Sequence, residues 1–303
     1  MHLPELDDFR RPQWRSSVPA LWRDAQTVQL GDDVVVDRLT AKQHSWMTTL
    51  DGSRTSEQVA ESLPIPAIDA RRLLRAMLAA GALVDAGRTP ATLRFGRPEA
   101  REAAQRIFET AIDITGNAVT ALAVMEARDR ARVGITGSGH LRDAVAHALD
   151  AAGLIEVATP ERATIAVLTD APHPDVPARY DGEALDRPHL HVGVRAHRAV
   201  IGPLVVPGRT SCLRCAHLHR RDADPSWPLV AVQWSQADGG AARADPLIVT
   251  LAAAHAVHAV RSWVDNPHAD WVDTALDLRL GNTTPTKVSR PPHPLCGCLW
   301  GTT

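Results

Sequence analysis

ARVGITGSGHLRDAVAHALDAAG, residues 131–153, decides the fold class of this chain. Its apolar run, its pair of glycines and its amphipathic stretch predict a β-strand, a tight turn at Gly137 and Gly139, and a helix. Short apolar segments follow, in LIEVAT, ATIAVLTD, HLHVGVR and AVIGPLVV. Strands that alternate with helices predict an α/β fold with a mostly parallel sheet over residues 131–303.

The glycine turn is the start of a Rossmann-type dinucleotide fingerprint, G-x-G-x-x-G. Arg142 stands where the third glycine belongs, and Glu156 lies within the next strand instead of at its end. Since the acidic residue that would hold a ribose is missing there, we interpret the turn as degenerate and do not expect ATP to bind. A working nucleotide site, or an anion held by Arg142, is the alternative.

The four cysteines form two close pairs, Cys212 and Cys215 in TSCLRCAH, and Cys296 and Cys298 in HPLCGCLW. Four thiolates spaced as CxxC and CxC are typical of a closed, tetrahedral zinc site with a structural role. A redox-active CxxC or simple buried thiols are the alternatives. The spacing therefore predicts one Zn²⁺ that joins the C-terminal part of the α/β domain to its middle.

The sequence before residue 131 predicts three further regions. We expect an irregular arm over residues 1–24 and a small α+β domain over residues 25–92. In this domain VQLGDDVVVDRL predicts a β-hairpin, three helices follow, and a short strand lies at Leu83–Val84, which is the order of a winged helix. A helical linker is expected over residues 93–130.

Composition and charge restrict the function classes. The chain has 303 residues, of which 45% are hydrophobic, and a formal net charge of -2, and residues 25–90 hold seven Lys/Arg against eight Asp/Glu. Nucleic acid is thus not expected as a partner, although three arginines on one helix leave a DNA-binding regulator as an alternative. No signal peptide and no membrane span are predicted, and a cytoplasmic location is expected.

The stretch AVIGPLVVPGRTSCLRCAHLHRRDADPSWPLVAVQ resembles the ThiF/MoeB and ubiquitin-activating superfamily, whose members carry a four-cysteine zinc site at this place. Its core, GPLVVPGRTSCLRC…HRRDADPSWP, is more similar to cyclodehydratase-associated proteins that bind leader peptides in the biosynthesis of thiazole- and oxazole-modified peptides. Residues 25–90, with LDGSRTSEQVAESL, resemble PqqD.

The resemblance implies a non-catalytic adaptor that binds the leader of a ribosomally made precursor peptide and presents it to a YcaO-type cyclodehydratase, the partner that consumes ATP. It implies a homodimer by analogy. An ATP-dependent adenylating enzyme of the ThiF type is the alternative. In the family the leader adds a strand beside the third helix, and carried over to this sequence the peptide-binding residues are Val34, Val35, Val36, Arg71, Leu74, Arg75 and Leu78.

Overall fold

A computed structural model of the chain describes residues 2–88, 98–116, 118–158, 162–177, 186–236, 243–267 and 271–299. The chain divides into two compact units, residues 1–126 and residues 127–303. Each unit has a buried apolar core of its own, so each is described by itself.

The first unit is a small α+β structure. Its strands β2, β3 and β4 form an antiparallel sheet in that order, while β1 pairs with β5. The hairpin predicted at VQLGDDVVVDRL is confirmed, with Gly31 in its turn at φ +59°. The elements are β1 (Pro12–Trp14), β2 (Ala20–Trp22), β3 (Val28–Leu30), β4 (Val34–Val36), α1 (Ala41–Thr48), α2 (Ser56–Glu61), α3 (Ala67–Ala79), β5 (Leu83–Asp85) and α4 (Pro98–Thr115); α5 (Ala118–Arg130) crosses the boundary between the units.

The starts of α1 and α2 are fixed by their own side chains. Thr40 and Thr55 each accept a hydrogen bond from the backbone N–H three residues later, and the side chains of Gln43 and Gln58 accept one from the backbone N–H of the capping residue. Such reciprocal pairs satisfy N–H groups that a helix leaves free at its start. Thr40 and Thr55 are thus the N-caps of α1 and α2.

Residues 1–24 differ from the irregular arm that we expected. They contribute strands β1 and β2, and Leu3 and Leu6 are buried in the core of the first unit. The Asp85 carboxylate accepts the backbone N–H groups of Arg10 and Arg11, both at 2.9 Å. Both strands have only three residues, and β1 pairs with β5 about 70 positions away, so neither strand shows a local periodicity that the sequence pattern could reveal.

The helical linker expected at residues 93–130 is also corrected in part. Helix α4 packs Phe108 and Ile112 against Val84. The buried Arg15 guanidinium donates to the Asp113 carboxylate at 2.8 Å. Helix α4 is therefore part of the first unit, which extends to residue 126 instead of residue 92.

The second unit is built on one seven-stranded sheet in the order β12-β11-β10-β9-β8-β6-β7. Strands β7, β6, β8 and β9 are parallel, and β10, β11 and β12 continue as an antiparallel meander. Five of the seven strands thus run in one direction, and the mostly parallel sheet is confirmed. The elements are β6 (Arg132–Thr136), α6 (His140–Ala151), β7 (Ile155–Val157), β8 (Ile165–Leu168), β9 (His189–Arg195), β10 (Arg198–Val205), α7 (Leu213–Ala223), α8 (Trp227–Gln236), α9 (Pro246–Asp265), β11 (Thr274–Arg279) and β12 (Thr286–Ser289).

The two faces of this sheet are covered by different helices. Ile165 and Val167 of β8 belong to the core formed with α6 and α9, while Ala166 and Leu168 belong to a cluster with the cysteines of α7. Alternate residues of a strand point to opposite faces, so α7 lies opposite α6 and α9. Helix α9 is long and apolar enough to cross a membrane, but one face of it, with Ile248, Ala252 and Val260 among others, is buried in this core.

A buried charge network holds the loop after β8 to the sheet. Arg198 donates to Asp175 at 3.1 Å and to Asp277 at 2.9 Å, and Arg220 also binds Asp175, whose side chain is 5% exposed. Burial alone would raise the pKa of Asp175, but the hydrogen bonds of Arg198 and the positive charges of Arg220 and Arg198 hold it below its usual value. The network is therefore charged at neutral pH.

Candidate functional site

The four cysteines meet in one cluster. The Sγ atoms of Cys212 and Cys296 are 3.4 Å apart, as are those of Cys215 and Cys298, and all four sulfurs lie within 4.8 Å of one another. A tetrahedral Zn²⁺ with Zn–S bonds of about 2.3 Å needs sulfurs roughly 3.8 Å apart. The donor set and its spacing therefore fit a tetrahedral metal ion, and the four predicted ligands are brought together.

Each half of the cluster is positioned by its own contacts. Cys212 is the N-cap of α7, and Cys215 lies in the first turn of that helix. Gly297, at φ +77°, makes the turn between Cys296 and Cys298. The Cys296 N–H donates to the carbonyl of His293 at 3.0 Å.

The thiols of the cluster differ in acidity. Burial raises the pKa of Cys298 to about 12, and Cys215 beside it acts in the same direction. Burial would also raise the pKa of Cys215, but hydrogen bonds from the backbone at Cys212 and His293 and from the neighbouring thiols lower it. A group of four thiols this close loses all its protons together only when a cation takes their place.

His293 connects the second cysteine pair to α7. Its ring is buried, Nε2 lies 2.8 Å from the Asp222 carboxylate, and the Leu295 N–H donates to Nδ1 at 3.1 Å. Since Nδ1 accepts, Nε2 carries the proton that is donated to Asp222. The sequence analysis did not single out this pair, whose members are 71 positions apart.

The glycine turn lies where β6 ends and α6 begins. A Cβ on Gly137 would lie 2.8 Å from Thr169 Oγ1 and 3.1 Å from Asp170, so this glycine is required for packing. Gly139, at φ +82°, faces open space, with no heavy atom within 4 Å of the Cβ position. The turn predicted from the sequence is therefore present, with a packing role for its first glycine.

Arg142 and Glu156 pair with each other beside this turn. The guanidinium of Arg142 on α6 donates to the carboxylate of Glu156 on β7. The anion that the sequence analysis left open for Arg142 is thus supplied by the chain itself. The pairing follows from the parallel contact of β6 and β7, which brings α6 over β7.

Asp170 is a polar residue at this end of the sheet that the sequence analysis missed. It follows β8, the neighbour of β6 on the side opposite β7, and Thr136 Oγ1 donates to its carboxylate at 3.3 Å. In open α/β sheets, ligands bind where neighbouring connections leave in opposite directions, as they do here. The available signal was the pair Thr169–Asp170 directly after the apolar run ATIAVL.

The residues predicted to bind a peptide fall into two groups. Strand β4, with Val34, Val35 and Val36, is an edge strand of its sheet among the described residues, and Val35 is 44% exposed. On α3, Leu78 is 40% exposed, but Leu74 is fully buried and belongs to the core. Leu74 therefore offers no surface in this structure.

The arginines of α3 are bonded to groups of the chain. Arg71 donates to the carbonyl of His2 at 3.1 Å, and Arg75 pairs with Glu5 at 3.0 Å. Arg72, which the sequence analysis did not select, donates to the Asp37 carbonyl at 2.7 Å, directly after β4.

Ile68, one turn before Arg72, is 76% exposed. Ile68, Arg72 and Arg75 share one face of α3 at helical spacing. We call this face the α3 stripe.

Comparison with known proteins gives matches in structure only. No protein-family model and no curated protein sequence matches the chain. Among solved structures, the heterocyclase TruD has a TM-score of 0.62 at 18% identity over 95% of this chain, and a heterocyclase in complex with substrate and cofactor has 0.61 at 18% identity over 93%. MccB of E. coli with AMPCPP and MccA has 0.54 at 15% identity over 95%.

The chain shares its fold with these proteins. It spans 42% of TruD and 38% of the other heterocyclase, but 99% of MccB. The likeness supports the α/β architecture derived above.

Proposed function

We propose that the chain is a peptide-binding adaptor in the modification of a ribosomally made peptide. In this proposal it binds the leader of a precursor peptide and presents it to a YcaO-type cyclodehydratase, which consumes ATP. The small first unit is the binding domain, of the PqqD-like winged-helix type. The second unit is a ThiF-like scaffold completed by Zn²⁺ on Cys212, Cys215, Cys296 and Cys298.

The observation that carries the proposal is the exposed edge of β4 beside the α3 stripe. An edge strand leaves N–H and C=O groups that an extended peptide can pair with, and neighbouring side chains then select its sequence. Ile68 is an exposed apolar group on the helix face that also carries Arg72 and Arg75, and Val35 is exposed on β4, which suits an extended peptide with apolar and acidic residues.

Two further observations support an adaptor in preference to an enzyme that acts alone. Arg142 pairs with Glu156 where a dinucleotide fingerprint has its third glycine. Four thiolates around one Zn²⁺ leave no coordination position for a substrate. The cyclodehydratase enters the proposal as the partner that consumes ATP. A homodimer remains part of the proposal by analogy.

The test is to purify the full chain from its own cells and to identify bound peptides by mass spectrometry. Val35→Pro removes a backbone N–H from β4 and hinders strand addition, whereas Val35→Thr keeps both the strand and the N–H. We expect a precursor peptide with the wild type and Val35→Thr, and at least about a tenfold loss with Val35→Pro, because a tenfold loss needs only about 1.4 kcal/mol. Equal recovery from both variants would exclude β4 as the binding edge.

A second candidate, an ATP-dependent adenylating enzyme, is favoured by one comparison. The chain spans 99% of MccB, which was solved with AMPCPP and MccA, and Asp170 and the open space at Gly139 lie at the switch point of the sheet. Pyrophosphate exchange that depends on a peptide and is lost in Asp170→Asn would establish this candidate. We expect no exchange from the chain.

A further inference from the structure

The segment from His2 to Phe9 lies on α3, next to the proposed peptide surface. Its 3-10 turn, Pro4–Leu6, packs against α3. Leu3 and Leu6 are 2% and 1% exposed, and they enter the core that also contains Leu74 of α3. Two leucines three positions apart are thus the apolar anchors of this segment.

The polar contacts of the segment use the arginines that the peptide proposal needs. Glu5 Oε1 accepts from Arg75 Nε at 3.0 Å, and the His2 carbonyl accepts from Arg71 at 3.1 Å. The segment reads HLPELDDF, with three acidic residues and no Lys or Arg. It is therefore an acidic, leucine-bearing peptide that the chain itself places on a basic helix face.

We propose that the 2–9 segment is a built-in competitor for the part of α3 that presents Arg71 and Arg75, and that the peptide which displaces it is also acidic and carries leucine-type anchors. The inference rests on the proposed peptide-binding function and adds the chemistry of the ligand. A peptide that brings a carboxylate to Arg75 takes over the partner of Glu5. Arg75 is reachable for this exchange because its side chain is 73% exposed.

Unpaired polar atoms in the contacts between the segment and α3 make displacement of the segment feasible. Glu5 Oε2 and Arg71 Nε are buried, and neither has a hydrogen-bond partner among the described residues. Polar atoms that are buried without partners destabilise the structure that buries them. These two unpaired atoms offset part of the stabilisation that comes from burying Leu3 and Leu6. Release of the segment returns both polar atoms to water.

The test measures binding of a probe to the full chain and to its variants. The probe is a fluorescently labelled synthetic peptide with the sequence HLPELDDF, and binding is followed by fluorescence anisotropy. In Glu5→Lys the segment carries a positive charge next to Arg75 and is expelled, so the probe gains access. The matched control, Asp8→Lys, makes the same charge change in the same segment at an exposed residue.

We expect Glu5→Lys to bind the probe at least about tenfold more tightly than the wild type, because the apparent affinity scales with the fraction of chains whose surface is free. Asp8→Lys should resemble the wild type. In Glu5→Lys/Arg75→Glu the two charges are exchanged, the segment pairs again with α3, and probe binding should fall back. Equal probe affinity in the wild type and Glu5→Lys would overturn the proposal.

A second readout guards against misfolding of a variant. The N–H groups of Leu6 and Phe9 donate to carbonyls within the segment, so their hydrogen exchange reports whether it is docked. The probe should accelerate exchange at these amides in the wild type; unchanged exchange in the presence of bound probe would also refute displacement. If Glu5→Lys does not bind the probe more tightly than the wild type, but Val35→Pro still loses the precursor peptide, the adaptor function is supported and only this inference is wrong.

Discussion

At the scale of single residues, Leu74 and Leu78 show why helical spacing alone could not separate core from surface. Both lie on α3, and the resemblance assigned both to peptide binding. Leu74 is fully buried, whereas Leu78 is 40% exposed. Leu74 and Leu78 are four positions apart and differ by only about 40° around the helix axis, so only the packed structure reveals that one lies in the core and the other at its edge.

The first prediction compares these two leucines. Leu74→Ala should lower the free energy of unfolding by about 2–5 kcal/mol, because it leaves a cavity in the core. Leu78→Ala should change it by less than about 1 kcal/mol, as expected for an exposed site. Urea unfolding of both variants checks this. Similar losses for the two would contradict the assignment of Leu74 to the core.

The second prediction concerns pH and Asp175. Its pKa is lowered in the folded chain, so its contribution to stability is present above the ordinary Asp pKa of 3.8 and is lost as the pH falls through the lower, folded value. Asp175→Asn should destabilise the second unit at pH 7 and weaken the loss of stability of that unit below about pH 4.

Thermal unfolding from pH 7 to pH 3 measures the Asp175 effect. Asp150→Asn, at an exposed position, is the control and should follow the wild type. An unchanged acid profile in Asp175→Asn would show that other carboxylates dominate the pH dependence.

At the scale of elements, the sequence predicted those with local signals. The β3–β4 hairpin has a glycine turn, and α1 has its Thr40 cap, so both could be located. Strands β1 and β2 could not, because each has only three residues, and β1 pairs with a strand about 70 positions away. The contact of α6 with β7 through Arg142 and Glu156 depends in the same way on the order of the strands.

The third prediction concerns the contact between α3 and β4. Arg72 donates to the carbonyl of Asp37 directly after β4, so Arg72→Ala should loosen this end of the strand. We expect faster hydrogen exchange in Val34–Val36 and reduced recovery of the bound peptide, with a stability loss of only about 0.5–1.5 kcal/mol. Lys42→Ala, an exposed control on α1, should leave both unchanged; equal exchange in the two variants would argue against a positioning role for Arg72.

At the scale of the whole molecule, the sequence predicted the α/β fold and the four-cysteine cluster more successfully than the boundaries between regions. The CxxC and CxC spacing is in itself typical of a metal site, and the four thiols lie within 4.8 Å of one another in the structure. The boundary at residue 126 could not be read, because α4 is assigned to the first unit by contacts with Val84 and Arg15 that no local pattern encodes.

The fourth prediction is that metal removal affects one unit only. The purified chain should contain about one Zn²⁺, and a strong chelator should destabilise the second unit while the first keeps its unfolding transition. A loss of about 3 kcal/mol would lower the Tm of a domain of this size by roughly 6–12 °C. Metal analysis, calorimetry and hydrogen exchange of residues 291–299 measure these effects.

Two variants separate the metal from ordinary packing. Cys215→Ser should reproduce the effect of the chelator, since it removes a ligand. Ser211 lies beside the cluster, and its buried hydroxyl has no partner among the described residues. The Ser211→Ala variant should therefore retain the metal. If the wild type without metal gave the same unfolding profile, the cysteines would be packed thiols and not metal ligands.

The wide spacing of the cysteine pairs has a consequence for the order in which the chain is made. Cys212 and Cys296 are 84 positions apart, and Cys296 and Cys298 follow all seven strands of the sheet. A ribosome therefore produces every strand of the second unit before the fourth thiol emerges. A metal ion held by all four thiols, as proposed, would then bind only a chain whose sheet strands have all been made.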